Sequence, residues 1–165
     1  MSKRPTFISH WATLEAPPGG FGQAGSGAFD ASLGEKLGLT RIGIHHMRVP
    51  PGCRTSYPHA ESAEEEFVFV LEGRPDVWID GVLHPLEPGD SVAFPAGTGI
   101  CHTFLNNTDE EMRLIVVGEK PKDENRIRYP LDEDLERTLK DRWIDPPKRT
   151  FGPHDGHARA GTKKT

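Results

Sequence analysis

Histidines and carboxylates recur in the middle of this chain at spacings that suit a metal ion. His59 and Glu61 stand two residues apart, so on an extended strand both side chains point to one face. Glu66 opens an apolar run and shares a face with Val68 and Val70, and His102 lies on a later run with Phe104 and Asn106. If these strands line one barrel, two imidazoles and two carboxylates converge inside it. Neutral imidazole and carboxylate together are ligands for a borderline-to-hard divalent cation. Two carboxylates balance the charge of Fe, Mn or Ni, and Zn is also accommodated. Glu61 has two further readings. It belongs to an acidic run with Glu64 and Glu65 and can point at water, or, if not a ligand, it can act as general base in the same pocket. Glu65 competes with Glu66 by one residue of register, a slip that would flip every neighbour to the other face.

The elements that must position these side chains read as short strands. Ile42, Ile44, His46 and Arg48 alternate with Gly43, His45, Met47 and Val49, and the run ends at Pro50-Pro51-Gly52, which cannot continue a ladder. Further strands are expected over 67–71, 76–80, 82–86, 91–94, 102–105 and 112–117. Asp80-Gly81 between apolar runs signals a type I′ hairpin. Ala16 to Gly27, with five glycines and two prolines, reads as a loop, and Phe7 to Trp11 before it as an edge strand. Leu131, Leu135, Leu139 and Trp143 fall near one face of a helix over 131–143, with acidic residues in its first turn. The tail from Pro146 lacks apolar periodicity and is expected to be disordered or draped over a neighbour.

The two segments carrying the site, 52–73 and 89–106, resemble the paired motifs of the cupin superfamily, G-x5-H-x-H-x(3,4)-E-x6-G and G-x5-P-x-G-x2-H-x3-N. Glu66 is followed by six residues and Gly73, Gly89 by five and Pro95-Ala96-Gly97, and His102 by three and Asn106. The chain departs from the pattern in three places: six residues separate Gly52 from His59, four separate Gly97 from His102, and Glu61 stands where a second histidine is usual. The resemblance implies an all-β fold, a jelly-roll barrel (double-stranded β-helix), with an N-terminal arm over 1–38, the barrel over 39–118 and a C-terminal extension over 119–165. It also implies a metal held by His59, Glu61, Glu66 and His102. The function it implies is a metal-dependent enzyme of dioxygenase, isomerase or lyase type on a small polar molecule. The alternative is a non-catalytic small-ligand or sensor barrel. A metal-free sugar-nucleotide epimerase using His and Tyr is disfavoured by Glu66 and His102.

Composition narrows the classes. Eighteen glycines and fifteen prolines in 165 residues suit tight turns between strands and not a helical bundle. A net charge of -5 and the lack of a basic recognition segment disfavour nucleic-acid binding. No apolar run is long enough to span a bilayer, no leader is visible, and a cytoplasmic protein with Cys53 and Cys101 as free thiols is expected. Arg48 and Arg54 are candidates for holding an acidic substrate, and Tyr57, Phe94 and Phe104 for lining a pocket. His45, sharing parity with Met47 and Val49, is read as the inward member of the His45-His46 pair. Phe67, Phe69 and Leu71 face away from the core, and Trp78 is counted with them. Both faces of that strand are then apolar, and a homodimer through the outer one is expected.

Overall fold

The computed structural model describes residues 4–18 and 26–161. Most of the glycine-rich loop, residues 19–25, lies outside them. In chain order the elements are β1 (Glu15–Ala16), β2 (Phe29–Ser32), α1 (Leu33–Lys36), β3 (Ile42–Val49), β4 (Ala60–Glu61), β5 (Glu66–Glu72), β6 (Asp76–Ile79), β7 (Val82–Pro85), β8 (Ser91–Phe94), β9 (His102–Leu105), β10 (Met112–Glu119), β11 (Ile127–Arg128) and α2 (Glu133–Thr138). A six-stranded sheet runs β1-β2-β3-β10-β5-β8; three strands, β7-β6-β9, and two, β11-β4, complete the all-β architecture. Every named strand pairing is antiparallel, which lets consecutive strands join by short turns.

Alternation decides which residues enter the core. On β5, Val68 and Val70 are each 1% exposed, whereas Phe67, Phe69 and Leu71 are 41%, 36% and 38% exposed. The inner valines pack with Met47, Val49, Phe104, Met112 and Leu114 in the main core. Asp80 and Gly81 both have positive φ, the requirement of the expected two-residue turn between β6 and β7.

Four expectations are corrected. The segment Phe7 to Trp11 is not a strand: Pro5 accepts a turn hydrogen bond from the Ile8 amide, and His10 caps a 3-10 turn over Trp11–Thr13. The C-terminal helix is shorter than 131–143. Asp132 caps it by accepting from the Leu135 amide, but the backbone of Asp141 and Trp143 is bonded to Ile127, which pulls that end of the segment out of the helix. The tail is ordered and drapes over its own barrel. Arg149 pairs with Asp80, the Gly152 amide donates to the Asp80 carbonyl, and the Arg159 amide donates to Asn107. Trp78 is therefore fully buried and does not join the outer face of β5; its indole N–H donates to the His154 carbonyl at 2.8 Å, beside Phe151.

Candidate metal centre

His59 sits just before β4, and its backbone forms a two-way bridge with His102, the first residue of β9. This bridge sets the two imidazoles side by side, ring centroids 4.9 Å apart. Glu66 begins β5, opposite Phe94 on β8, and its Oε1 lies 3.2 Å from His102 Nε2. One ligand atom from each of His59, Glu66 and His102 lies within 4.8 Å of the others. Glu66, not Glu65, is the inward residue: Glu65 is exposed.

The hydrogen bonds orient these rings. His59 Nδ1 donates to the Tyr57 carbonyl at 2.9 Å, which leaves Nε2 with a lone pair. His102 Nδ1 lies 3.3 Å from the Ile100 carbonyl, and the Phe94 ring stacks on the imidazole with centroids 3.4 Å apart. A neutral ring donating through Nδ1 turns a lone pair, not a proton, toward Glu66. A proton or a cation is needed between them. Burial, with the neighbouring His102, pushes His59 down to about 4, so it is neutral at pH 7. Burial raises the Glu66 carboxyl, but the His102 hydrogen bond and the surrounding imidazoles outweigh it and hold the group below its ordinary value. Lone pairs on two imidazoles and an ionised carboxylate fit a divalent metal ion.

Glu61 is not part of this cluster, so the expected four-residue set is three. Its neighbours explain why. Glu61 pairs with Ile127 on β11 and accepts from the Gly97 amide, whereas His59 is bonded to β9, so the two do not ride on one regular strand. Glu61 is half-buried. It lines a cavity of about 460 Å³ together with His45, Glu64 and Glu66. Burial and the adjacent Glu64 and Glu66 raise its carboxyl to about 8.

The other candidates separate cleanly. Arg48 is held by Glu15 at 2.6 Å and by Glu111, and Arg54 donates to the Gly156 carbonyl and covers the Tyr57 ring, so the fold uses both arginines. Cys101 is buried and its thiol pushed up to about 12; burial also raises Cys53. His45 lines the cavity, as its parity indicates, and His46 on the opposite face stacks against Trp11. Tyr129, 5.9 Å from His59, was not marked by any pattern in the sequence.

Comparison with known proteins fixes the family. Residues 45–118 match the Cupin domain family. A crystal structure described as a sugar phosphate isomerase from a cupin superfamily, from Silicibacter pomeroyi, is 34% identical, with a TM-score of 0.62 over 68% of this chain and 69% of that one. The chain belongs to the cupin superfamily. The cupin fold is also shared with the polyketide cyclase RemF from Streptomyces resistomycificus, with a TM-score of 0.63 at 22% identity over 86% of this chain and 96% of that one. A polyketide synthase protein, CurC from Streptomyces cyaneus, is 39% identical over 74 residues, 45% of each chain. This cupin spans just under half the length of the curated relatives it matches. Among the described residues no helix is long and apolar enough to cross a membrane.

Proposed function

We propose that this cupin is a metal-dependent enzyme of the isomerase type, acting on a small hydroxy-carbonyl compound. The convergence of His59, Glu66 and His102 carries the reading. The similarity to a protein described as a sugar phosphate isomerase supports the reaction class. His59 Nε2, His102 Nε2 and a Glu66 oxygen would hold the ion. When bound, it supplies a Lewis acid that polarises a carbonyl or hydroxyl oxygen. Tyr57 and Ile100 carbonyls fix the two rings, and Phe94 covers one face of His102.

The cavity wall refines the substrate. Glu35, Glu61, Glu64, Glu65, Glu119 and Asp141 line it beside Glu66, against Lys120 and Lys122. Lys122 is already engaged by Glu119 and the Ala63 carbonyl. So many carboxyl groups repel a phosphoryl group and accept hydroxyl donors, which favours an uncharged hydroxy-carbonyl compound over its phosphate.

Elemental analysis of untagged protein tests the metal reading. Stoichiometric Fe, Mn, Ni or Zn is expected in the wild type, and its loss in the Glu66→Ala, His102→Ala double variant. Wild type that stays metal-free after reconstitution sinks the reading. It would instead support a non-catalytic small-ligand barrel, which the three-residue donor set also suits.

A further inference from the structure

A metal site needs its ligands held as well as present. His59 and His102 lie 4.9 Å apart by ring centroid, and each has a further aromatic neighbour, Tyr129 at 5.9 Å from His59 and Phe94 at 3.4 Å from His102. The two contacts differ in kind. Tyr129 is tilted by 34° and stands off, whereas Phe94 is parallel to the imidazole within 5° and in van der Waals contact with it.

Register places the Phe94 ring. β8 pairs antiparallel with β5, and Phe94 stands directly opposite Glu66, two residues along from the inward pair Val68 and Val92. By alternation Phe94 faces inward too, and it is 5% exposed. The strand stops there. Pro95 has no amide hydrogen to extend the ladder, and the Gly97 amide donates to the Glu61 carbonyl. Phe104, two residues beyond His102 on β9, is buried and meets the Phe94 ring edge-on, centroids 6.3 Å apart at 77°. That T-shaped contact is a preferred aromatic geometry. Phe94 is thus fixed by its strand and by the core, and it lies flat on one metal ligand while standing opposite another.

The consequence is rotational. A histidine ring has a broad, roughly two-fold last torsion. With a phenyl plate 3.4 Å away, turning the His102 ring out of its plane would drive its edge into the Phe94 face. The ring is left in the plane that puts Nδ1 3.3 Å from the Ile100 carbonyl and Nε2 3.2 Å from Glu66 Oε1. We propose that Phe94 is a positioning residue of the metal centre, clamping the His102 imidazole so that its Nε2 and the Glu66 carboxylate converge before an ion binds. The proposal rests on the reading of His59, Glu66 and His102 as a metal site. Phe94 itself donates nothing to the ion. It removes freedom that the His102 side chain would otherwise lose on coordination. Loss of an outer partner that orients a metal ligand costs roughly 10–100-fold in affinity.

Two measurements on untagged protein test this. The first is titration with Co(II), followed by visible absorption. Phe94→Leu keeps an apolar side chain but has no flat face, and it should bind about 10-fold more weakly than wild type, or worse. Phe94→Tyr retains the face and should stay within about 3-fold. Met112→Ala is the control for stability alone. Met112 is buried in the same core, but beside Gly73, at the opposite end of β5 from Glu66. That variant should unfold more easily and keep its Co(II) affinity. The second measurement is proton NMR of the metal-free protein. The Phe94 ring current should move the His102 ring protons upfield in wild type and Phe94→Tyr, and the shift should vanish in Phe94→Leu. Leu binding as tightly as wild type, Tyr binding as weakly as Leu, Met112→Ala losing as much as Phe94→Leu, or unshifted His102 protons in wild type each overturn the assignment. Wild type that binds no Co(II) refutes the metal centre itself, and this role of Phe94 falls with it; wild type that binds, with Phe94→Leu its equal, refutes the Phe94 assignment alone.

Discussion

Arg149→Ala measures how far the C-terminal strap belongs to the fold. Asp80 sits in the β6–β7 turn with its side chain 8% exposed, accepting from the Cys101 amide at 3.0 Å and from Arg149 at 2.7–2.8 Å. Removing the guanidinium leaves a nearly buried carboxylate with one neutral donor. Breaking a fully buried pair costs about 3–5 kcal/mol, but Arg149 is 34% exposed and water can partly replace it, so about 2 kcal/mol is the expected loss. For a domain of this size that corresponds to a fall in Tm of about 4–8 °C. The control is Arg159→Ala, whose partner Asp155 is half exposed and whose loss should cost under about 0.5 kcal/mol. Thermal unfolding by circular dichroism and urea unfolding by tryptophan fluorescence read both variants. A loss at Arg149 no larger than that at Arg159 would refute the conclusion that the strap is an integral part of the barrel.

The metal-free protein should show two opposed pH dependences. Unfolded His59 takes a proton near 6.5 whereas the folded residue resists to about 4, so stability falls as pH drops through that window, and His59→Gln should remove the fall. Folded Glu61 keeps its proton to about 8 and releases it near 4.5 when unfolded, so stability is lost as pH rises between them. Glu61→Gln should therefore gain on the wild type at pH 8 in scanning fluorimetry, and parallel profiles for either pair would contradict the assignment. The outer face of β5 predicts a homodimer in sedimentation at micromolar concentration, with Phe69→Glu giving monomer; monomeric wild type would count against it.

The strand pattern was legible because period-two alternation is local. Ile42–Val49, Ser91–Phe94 and His102–Leu105 match the expected spans, and Asp80-Gly81 makes the turn its dipeptide signals. Glu66 and His102 stand out in the sequence because Glu66 keeps the motif's six-residue spacing to Gly73 and His102 its three-residue spacing to Asn106, whereas His59 could be proposed only by allowing one extra residue after Gly52. The place of Glu61 could not be read, because the break between His59 and β4 depends on pairing with residues 127 and 97. Trp143 has helical spacing from Leu139, but a bridge to Ile127 outweighs the propensity of that last turn. The tail looked disordered because its ties to the barrel are isolated long-range contacts, Arg149 to Asp80, the Trp78 indole to the His154 carbonyl and the Arg159 amide to Asn107, which leave no local periodicity in the sequence.

The strap over Trp78 also constrains how the molecule is made. Residues 149–159 leave the ribosome after every strand of the sheets has been synthesised, yet they supply the indole's hydrogen-bond acceptor and, through Phe151 and Ala158, part of its cover. During translation the nascent barrel therefore carries a tryptophan whose N–H is unpaired within the barrel, and its second core is completed only when that stretch emerges.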